Sequence, residues 1–139
     1  ETDNIRPLYR AIKKYGAEPV VISGSLDISR DIVDVRDVAR GTIQVMNSAE
    51  SGEIFNICSG KSYTFRELVD LLVEIADIDV DFFFDPNLER TNEIPLLIGN
   101  PEKIMNIGWK PMISIEDSLL DLFNEMVVRN RMEKSLKGN

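Results

Sequence analysis

Few residues in this sequence can do chemistry unaided, and the first constraint is an absence: there is no histidine, and only one cysteine, Cys58. Ser-His-Asp and Cys-His catalysis are excluded, and so are a zinc cluster and a disulfide frame. Chemistry must come from carboxylates, lysine, tyrosine, serine or a borrowed cofactor. Tyr9 and Lys13 stand one helical turn apart, a spacing at which a lysine can lower a tyrosine pKa for proton transfer. Tyr9 shares its apolar face with Ile5 and Ile12, however, so a core tyrosine with a surface lysine is the better reading. Ser59-Gly60-Lys61-Ser62 looks like the end of a phosphate-binding P-loop. That motif needs glycine where Phe55 stands, and the segment reads as a tight turn. No glycine-rich dinucleotide fingerprint occurs. Cys58, at a strand end without an activating cation, reads as an inert buried thiol.

Taken singly, the remaining charged residues have plain readings. Arg30 suits an ion pair with Asp31 or Asp34, Arg90 a loop cation beside Glu89, and Glu93 a solvated carboxylate. Asp34 and Asp37 suit the start of a helix, where negative charge meets the positive end of the dipole. Trp109 suits a gap in a core or interface, and Lys103 the surface of a short helix.

The elements that must position these residues follow from periodicity. Ile5, Leu8, Tyr9 and Ile12, stopped by Gly16, predict a helix over 3–15. Short strands are expected at 20–22 and around 32–33, separated by the Gly24-Ser25-Leu26-Asp27 turn. A helix over about 35–47 places Val35, Val38, Ala39, Thr42, Val45 and Met46 on one face, and 53–58 reads as a strand. Thr64 and Glu67 form a capping box before a helix carrying Phe65, Leu68, Val69, Leu72, Ile75 and Ala76. A strand at 80–84 leads into a proline-punctuated connection over 85–100, long enough to suggest function. Ser114 caps a last helix, and beyond Val128 the tail turns polar and is expected to fray.

The 139 residues are 43% hydrophobic and 29% charged, the balance of an ordinary globular domain. A net charge of -8 disfavours broad attachment to nucleic acid or an anionic membrane. No apolar run approaches the ~20 residues of a membrane span and no signal-peptide pattern opens the chain. With a single unpaired cysteine this gives a cytoplasmic expectation. A first residue Glu1 in place of methionine suggests a processed or excised segment.

Three stretches, in this order and spacing, carry a resemblance. They are Gly24-Ser25-Leu26-Asp27 with Arg30-Asp31-Ile32-Val33-Asp34-Val35-Arg36-Asp37-Val38-Ala39; Phe55-Asn56-Ile57-Cys58-Ser59-Gly60; and Arg90-Thr91-Asn92-Glu93 through Gly99-Asn100-Pro101-Glu102-Lys103 to Gly108-Trp109-Lys110-Pro111. Together they resemble the C-terminal half of extended short-chain dehydrogenase/reductases acting on nucleotide sugars, the NAD-dependent epimerase/dehydratase family. The likeness is greatest to GDP-6-deoxy-mannose reductases and next to GDP-mannose 4,6-dehydratases.

The resemblance implies an α/β fold: the substrate-binding part of an extended Rossmann-type enzyme, without the cofactor-binding half. It divides the chain into a nucleotide-sugar-binding domain over 1–128 and a polar tail over 129–139. It assigns Arg30 and Arg90 to the two phosphates, which planar guanidinium groups grip with paired bonds. Glu93 then falls to the ribose hydroxyls, and Ser25 and Leu26 to the base, where GDP-sugar members often carry asparagine in place of Ser25. Other departures are Thr91 for proline, Asn100 for aspartate and Glu102 for serine, the first two bearing on the rigidity of the loop.

The catalytic tyrosine and lysine and the NADP or NAD site belong to the N-terminal half of the family, so no catalytic, cofactor-binding or metal residue is expected in this segment. The implied reaction of the intact enzyme is reduction of GDP-4-keto-6-deoxy-mannose, with GDP-mannose 4,6-dehydration or another nucleotide-sugar epimerisation or dehydration as alternatives. A non-catalytic nucleotide-sugar-binding or interaction module remains open. The expected partners are a GDP-linked sugar, the N-terminal Rossmann half and further copies in a homo-oligomer. In the family, the strand like 53–58 joins the edge of the large sheet, so an isolated segment would expose an unpaired edge and an apolar patch.

Overall fold

The computed structural model describes residues 20–89 and 92–137. The helix expected over 3–15, with Tyr9 and Lys13, and the candidate Arg90 lie outside the described residues. Ten elements follow one another among the described residues: β1 (Val20–Ser23), β2 (Ser29–Asp31), α1 (Val35–Ser48), β3 (Ser62–Thr64), α2 (Phe65–Ala76), β4 (Asp81–Phe84), a 3-10 turn (Pro86–Leu88), β5 (Leu96–Leu97), α3 (Glu102–Asn106) and α4 (Ile115–Lys137). They make two small sheets. β1 and β4 pair in parallel, Val20 opposite Asp81 and Ser23 opposite Phe84. β2 is the centre of the other, antiparallel to β3 and parallel to β5.

α2 forms where the capping box predicts it. Thr64 Oγ1 accepts from the Glu67 amide at 3.1 Å, and the Glu67 carboxylate accepts from the Thr64 amide at 2.7 Å. The helix ends at Asp77, in the left-handed conformation with φ 51°. Its buried Leu68 packs on Ile115 and Leu119 of α4, with Ile32, Tyr63, Leu71, Leu72 and Ile75 around them. Ser114 caps α4, its Oγ accepting from the Asp117 amide at 3.0 Å, and the helix continues through Lys137 instead of ending near Val128.

α1 is capped by Asp34, which accepts from the Arg36 amide at 2.8 Å. The Arg36 side chain holds that carboxyl well below the usual carboxylate range against the opposing effect of burial, with Ser118 assisting. The inward face of α1 is not the apolar one expected. Asp37 and Gly41 are buried, while Val35, Ala39, Thr42 and Met46 are exposed. The reason is what lies opposite, the backbone of residues 107–113. Asp37 Oδ2 accepts from the Met112 and Ile113 amides at 2.8 and 2.9 Å, and Gln44 donates to the Ile107 carbonyl at 2.5 Å. Trp109 donates from Nε1 to the Asp37 carbonyl at 3.0 Å and lies so close to Gly41 that a Cβ there would sit 3.0 Å from the indole nitrogen.

Two strand expectations shift. The second strand covers 29–31 and not 32–33, because its ladder partners, Ser62–Thr64 and Leu96–Leu97, face the polar residues while Ile32 turns into the core. No strand occurs at 53–58, since no ladder partner for it exists among the described residues. Lys103 holds this segment instead, donating to the Ile54 carbonyl at 2.9 Å and lying 4.3 Å from the centre of the Phe55 ring.

Candidate functional site

β1 delivers the chain into the loop 24–28, and β4 delivers it into residues 85–89, so the parallel pairing of the two strands sets these stretches side by side. The Asp85 amide donates to the Ser23 carbonyl at 2.8 Å. A Cβ at Gly24 would sit 2.9 Å from the Leu88 carbonyl oxygen, so only glycine permits this approach. On its other side the loop is tied to the start of α2: the Arg66 and Phe65 amides donate to the Leu26 and Ile28 carbonyls, both at 3.0 Å. The loop therefore supplies partners for amides that a helix start leaves unpaired.

Between these segments lies a cleft of about 570 Å³, lined by Ser25, Arg30, Phe65, Leu88, Asn92 and Glu93 among others. A neighbouring recess of about 400 Å³ is shared by Ser25, Leu26, Asp27, Arg66 and the aromatic run Phe82 to Phe84. Of the candidates, Ser25, Arg30 and Glu93 thus meet in one cleft, and Leu26 lines the adjoining recess. Ser25 Oγ accepts from the Asp27 amide at 3.3 Å.

Arg30 pairs with Glu93 across 63 residues of sequence, not with Asp31 or Asp34. Its other terminal nitrogen donates to the Ser29 and Ile94 carbonyls, both at 2.8 Å. Both side chains of the pair are roughly three-quarters buried, at 21% and 24% exposure. Three of the five guanidinium donors are thereby engaged.

Asp31, beside Arg30 on β2, was not singled out from sequence. Its carboxylate accepts from the Ser59 amide and hydroxyl at 2.8 and 2.6 Å, from the Gly60 amide at 2.8 Å and from the Gly99 amide at 3.3 Å. Burial pushes this carboxyl up, but the Ser59, Gly60 and Gly99 bonds together outweigh it and hold it below the usual range. Of the turn expected over 59–62, the structure has a bend at Gly60, φ 74°, before β3 begins at Ser62, and the anion held by the Ser59 and Gly60 amides is this internal one. Cys58 beside it is buried, and burial followed by the Asp31 charge pushes its thiol up, away from the reactive thiolate. Asn100 Oδ1 accepts from the Glu102 amide at 2.9 Å.

The family model for GDP-mannose 4,6-dehydratase matches residues 1–122. The chain belongs to the GDP-mannose 4,6-dehydratase family. Within it, the chain is 34% identical over 111 residues to GDP-6-deoxy-D-mannose reductase of Pseudomonas aeruginosa, covering 79% of this chain and 36% of that protein. Its fold superimposes on the Pseudomonas aeruginosa RMD complexed with NADPH, with a TM-score of 0.75 and 30% identity, over 86% of this chain and 40% of that one. A Thermotoga maritima UDP-glucose 4-epimerase with UDP-glucose matches at a TM-score of 0.69 and 29% identity, over 81% and 36% of the two chains. The chain thus spans little more than a third of the first of these relatives. The Rossmann-type α/β architecture of short-chain dehydrogenase/reductases, and the likeness to their C-terminal portion, follow from these matches.

The Pseudomonas complex holds NADPH, and the glycine-rich turn that grips such a cofactor is not found among the described residues. β1 runs into the 24–28 loop and then into β2, with no glycine-rich turn opening a helix. No group of described residues could hold a metal ion, and no described helix is long and apolar enough to cross a membrane.

Proposed function

We propose that this chain binds the nucleoside diphosphate part of a nucleotide sugar, GDP-linked, in the cleft between the 24–28 loop and the 85–95 segment. Arg30 and Arg90 take the phosphates, Glu93 the ribose hydroxyls, and the Ser25–Leu26 loop the base. The supporting observation is the convergence of Arg30 and Glu93, from distant segments, on one cleft beside that loop. Two Arg30 donors remain uncommitted among the described residues, in a planar array suited to phosphate oxygens. The described lining also carries Asp27, Glu89 and Glu93 against Arg30 alone, so holding a diphosphate requires the second guanidinium of Arg90.

On this reading, the intact enzyme moves hydride between NADP(H) and a hexose carbon, reducing the 4-keto group of GDP-4-keto-6-deoxy-mannose. The similarity to the Pseudomonas reductase favours that reaction. Dehydration of GDP-mannose is the second reading, favoured by the family model itself. Residues 1–128 form the binding domain and 129–139 a tail. Val35, Ile43 and Met46 on α1 and Ile54 in the unpaired segment are all more than half exposed, an apolar surface suited to the rest of the enzyme or to a second copy. Light scattering of the isolated chain should show association; a monodisperse monomer without dye-binding surface contradicts that part.

Calorimetric titration with GDP and UDP tests the binding role. Arg90→Ala should weaken GDP binding about ten- to hundredfold, the loss of one charge-assisted contact. If neither nucleotide binds at millimolar concentration and Arg90→Ala changes nothing, the chain is an interaction module.

A further inference from the structure

Arg30 and Asp31 are neighbours on β2, and side chains of successive strand residues leave on opposite faces. They grip the same segment at its two ends. Arg30 holds Glu93 and the Ile94 carbonyl, and Asp31 holds the Gly99 amide at 3.3 Å. Between those points the only ladder is β5, two residues long, pairing Ser29 with Leu96 and Arg30 with Leu97. This ladder and the Ser29 amide's bond to the Pro95 carbonyl at 2.8 Å hold residues 95–97, and the Asp31 contact is what ties residue 99 beyond them.

The Asp31 carboxylate is itself fixed from behind by Ser59 and Gly60, whose successive amides form the kind of concavity that receives anions. The path at residue 99 tolerates little error. A Cβ on Gly99 would come within 2.6 Å of Cys58 Cβ and closer still to its Sγ. One carboxylate thus joins three segments far apart in sequence, and the last of them carries Glu93.

We propose that Asp31 is the positioning residue of the cleft: by tying Gly99 to the 59–60 turn it sets the path of residues 93–99, and with it the place where Glu93 meets Arg30. This rests on the binding role proposed above. Asp31 touches no ligand; it acts through the segment it holds.

The test is Asp31→Asn in the whole chain, which keeps the side-chain size but turns an amide donor toward amide donors. Hydrogen exchange by peptide, and GDP affinity by calorimetry, are measured together. The expected result is faster exchange over 93–99, unchanged exchange in α2, and GDP affinity lower by about tenfold, one charged hydrogen bond's worth. Faster exchange throughout, α2 included, means a merely structural residue and overturns the proposal. So does faster local exchange with unchanged affinity, or unchanged exchange over 93–99. Should Asp31→Asn fail to fold, Ser59→Ala, which removes one donor from the same carboxylate, should give the same pattern in weaker form, and its absence counts equally against the proposal. A wild-type chain that binds neither GDP nor UDP fails at a different point: it removes the binding role, and the positioning role with it.

Discussion

Two arginine–carboxylate pairs in this chain, Arg40 with Asp37 and Arg30 with Glu93, share a chemistry and differ in their surroundings. In the first the carboxylate is the enclosed partner. Asp37 is fully buried and also receives two backbone amides, so every acceptor position faces the protein. In the second the guanidinium is the better-held partner, bonded to two carbonyls, while Glu93 has no described partner except Arg30 and borders a cleft. A carboxylate enclosed on all sides orders the packing of a helix on a loop. A pair at the wall of a cleft, with donors and acceptors to spare, can re-form its bonds around a ligand. The same arginine–carboxylate chemistry therefore serves structure in one place and, on the proposed reading, recognition in the other.

That contrast should appear as opposite splits between stability and binding. Asp37→Ala leaves the Met112 and Ile113 amides and the Arg40 charge without their acceptor, and should cost about 3–5 kcal/mol in urea unfolding. A loss below about 1 kcal/mol would break the contrast from the structural side. Gly41→Ala pushes a methyl against Trp109 and Ile57 and should cost about 1–3 kcal/mol in the same assay. Glu93→Gln should change stability by no more than about 1 kcal/mol, because Glu93 borders the cleft and Gln keeps an acceptor for Arg30. Its effect belongs in calorimetry, as weaker GDP binding.

The smallest effect is one of pH. The folded Asp31 carboxyl titrates below the ordinary value of about 3.9 for an unfolded aspartate. Its contribution to stability is therefore complete above that value and is lost as pH falls through the folded pKa. The difference in melting temperature between wild type and Asp31→Asn should be constant from pH 7 to 5 and narrow below about pH 4. A difference that widens in acid would place the Asp31 bonds elsewhere.

Legibility in the sequence followed how local the cause was. The Thr64–Glu67 capping box and the Asp34 and Ser114 caps rest on residues a few positions apart and are found where expected. β1 and β4, announced by apolar runs, are also found. The failures are elements whose partners are distant. β2 is defined by Ser62–Thr64 and Leu96–Leu97, so its own apolar residues misplace it. The 53–58 segment has the composition of a strand but no described partner. On α1 an apolar stripe pointed one way while the polar Asp37 and Gln44 met the backbone of 107–113. Phe65, assigned to the apolar face of α2, lines the cleft instead. In the candidate site, the family spacing brought Arg30 and Glu93 to notice. Their mutual bond, and the hub at Asp31, depended on contacts 28 to 68 residues apart that no local pattern encodes.

The most direct test follows the two arginines themselves. In a GDP titration monitored by nitrogen NMR of guanidinium groups, the Arg30 resonances should shift and saturate while those of Arg40 stay fixed. Unmoved Arg30 resonances at saturating GDP, or equal shifts at both residues, would contradict the assignment of the cleft pair to nucleotide recognition.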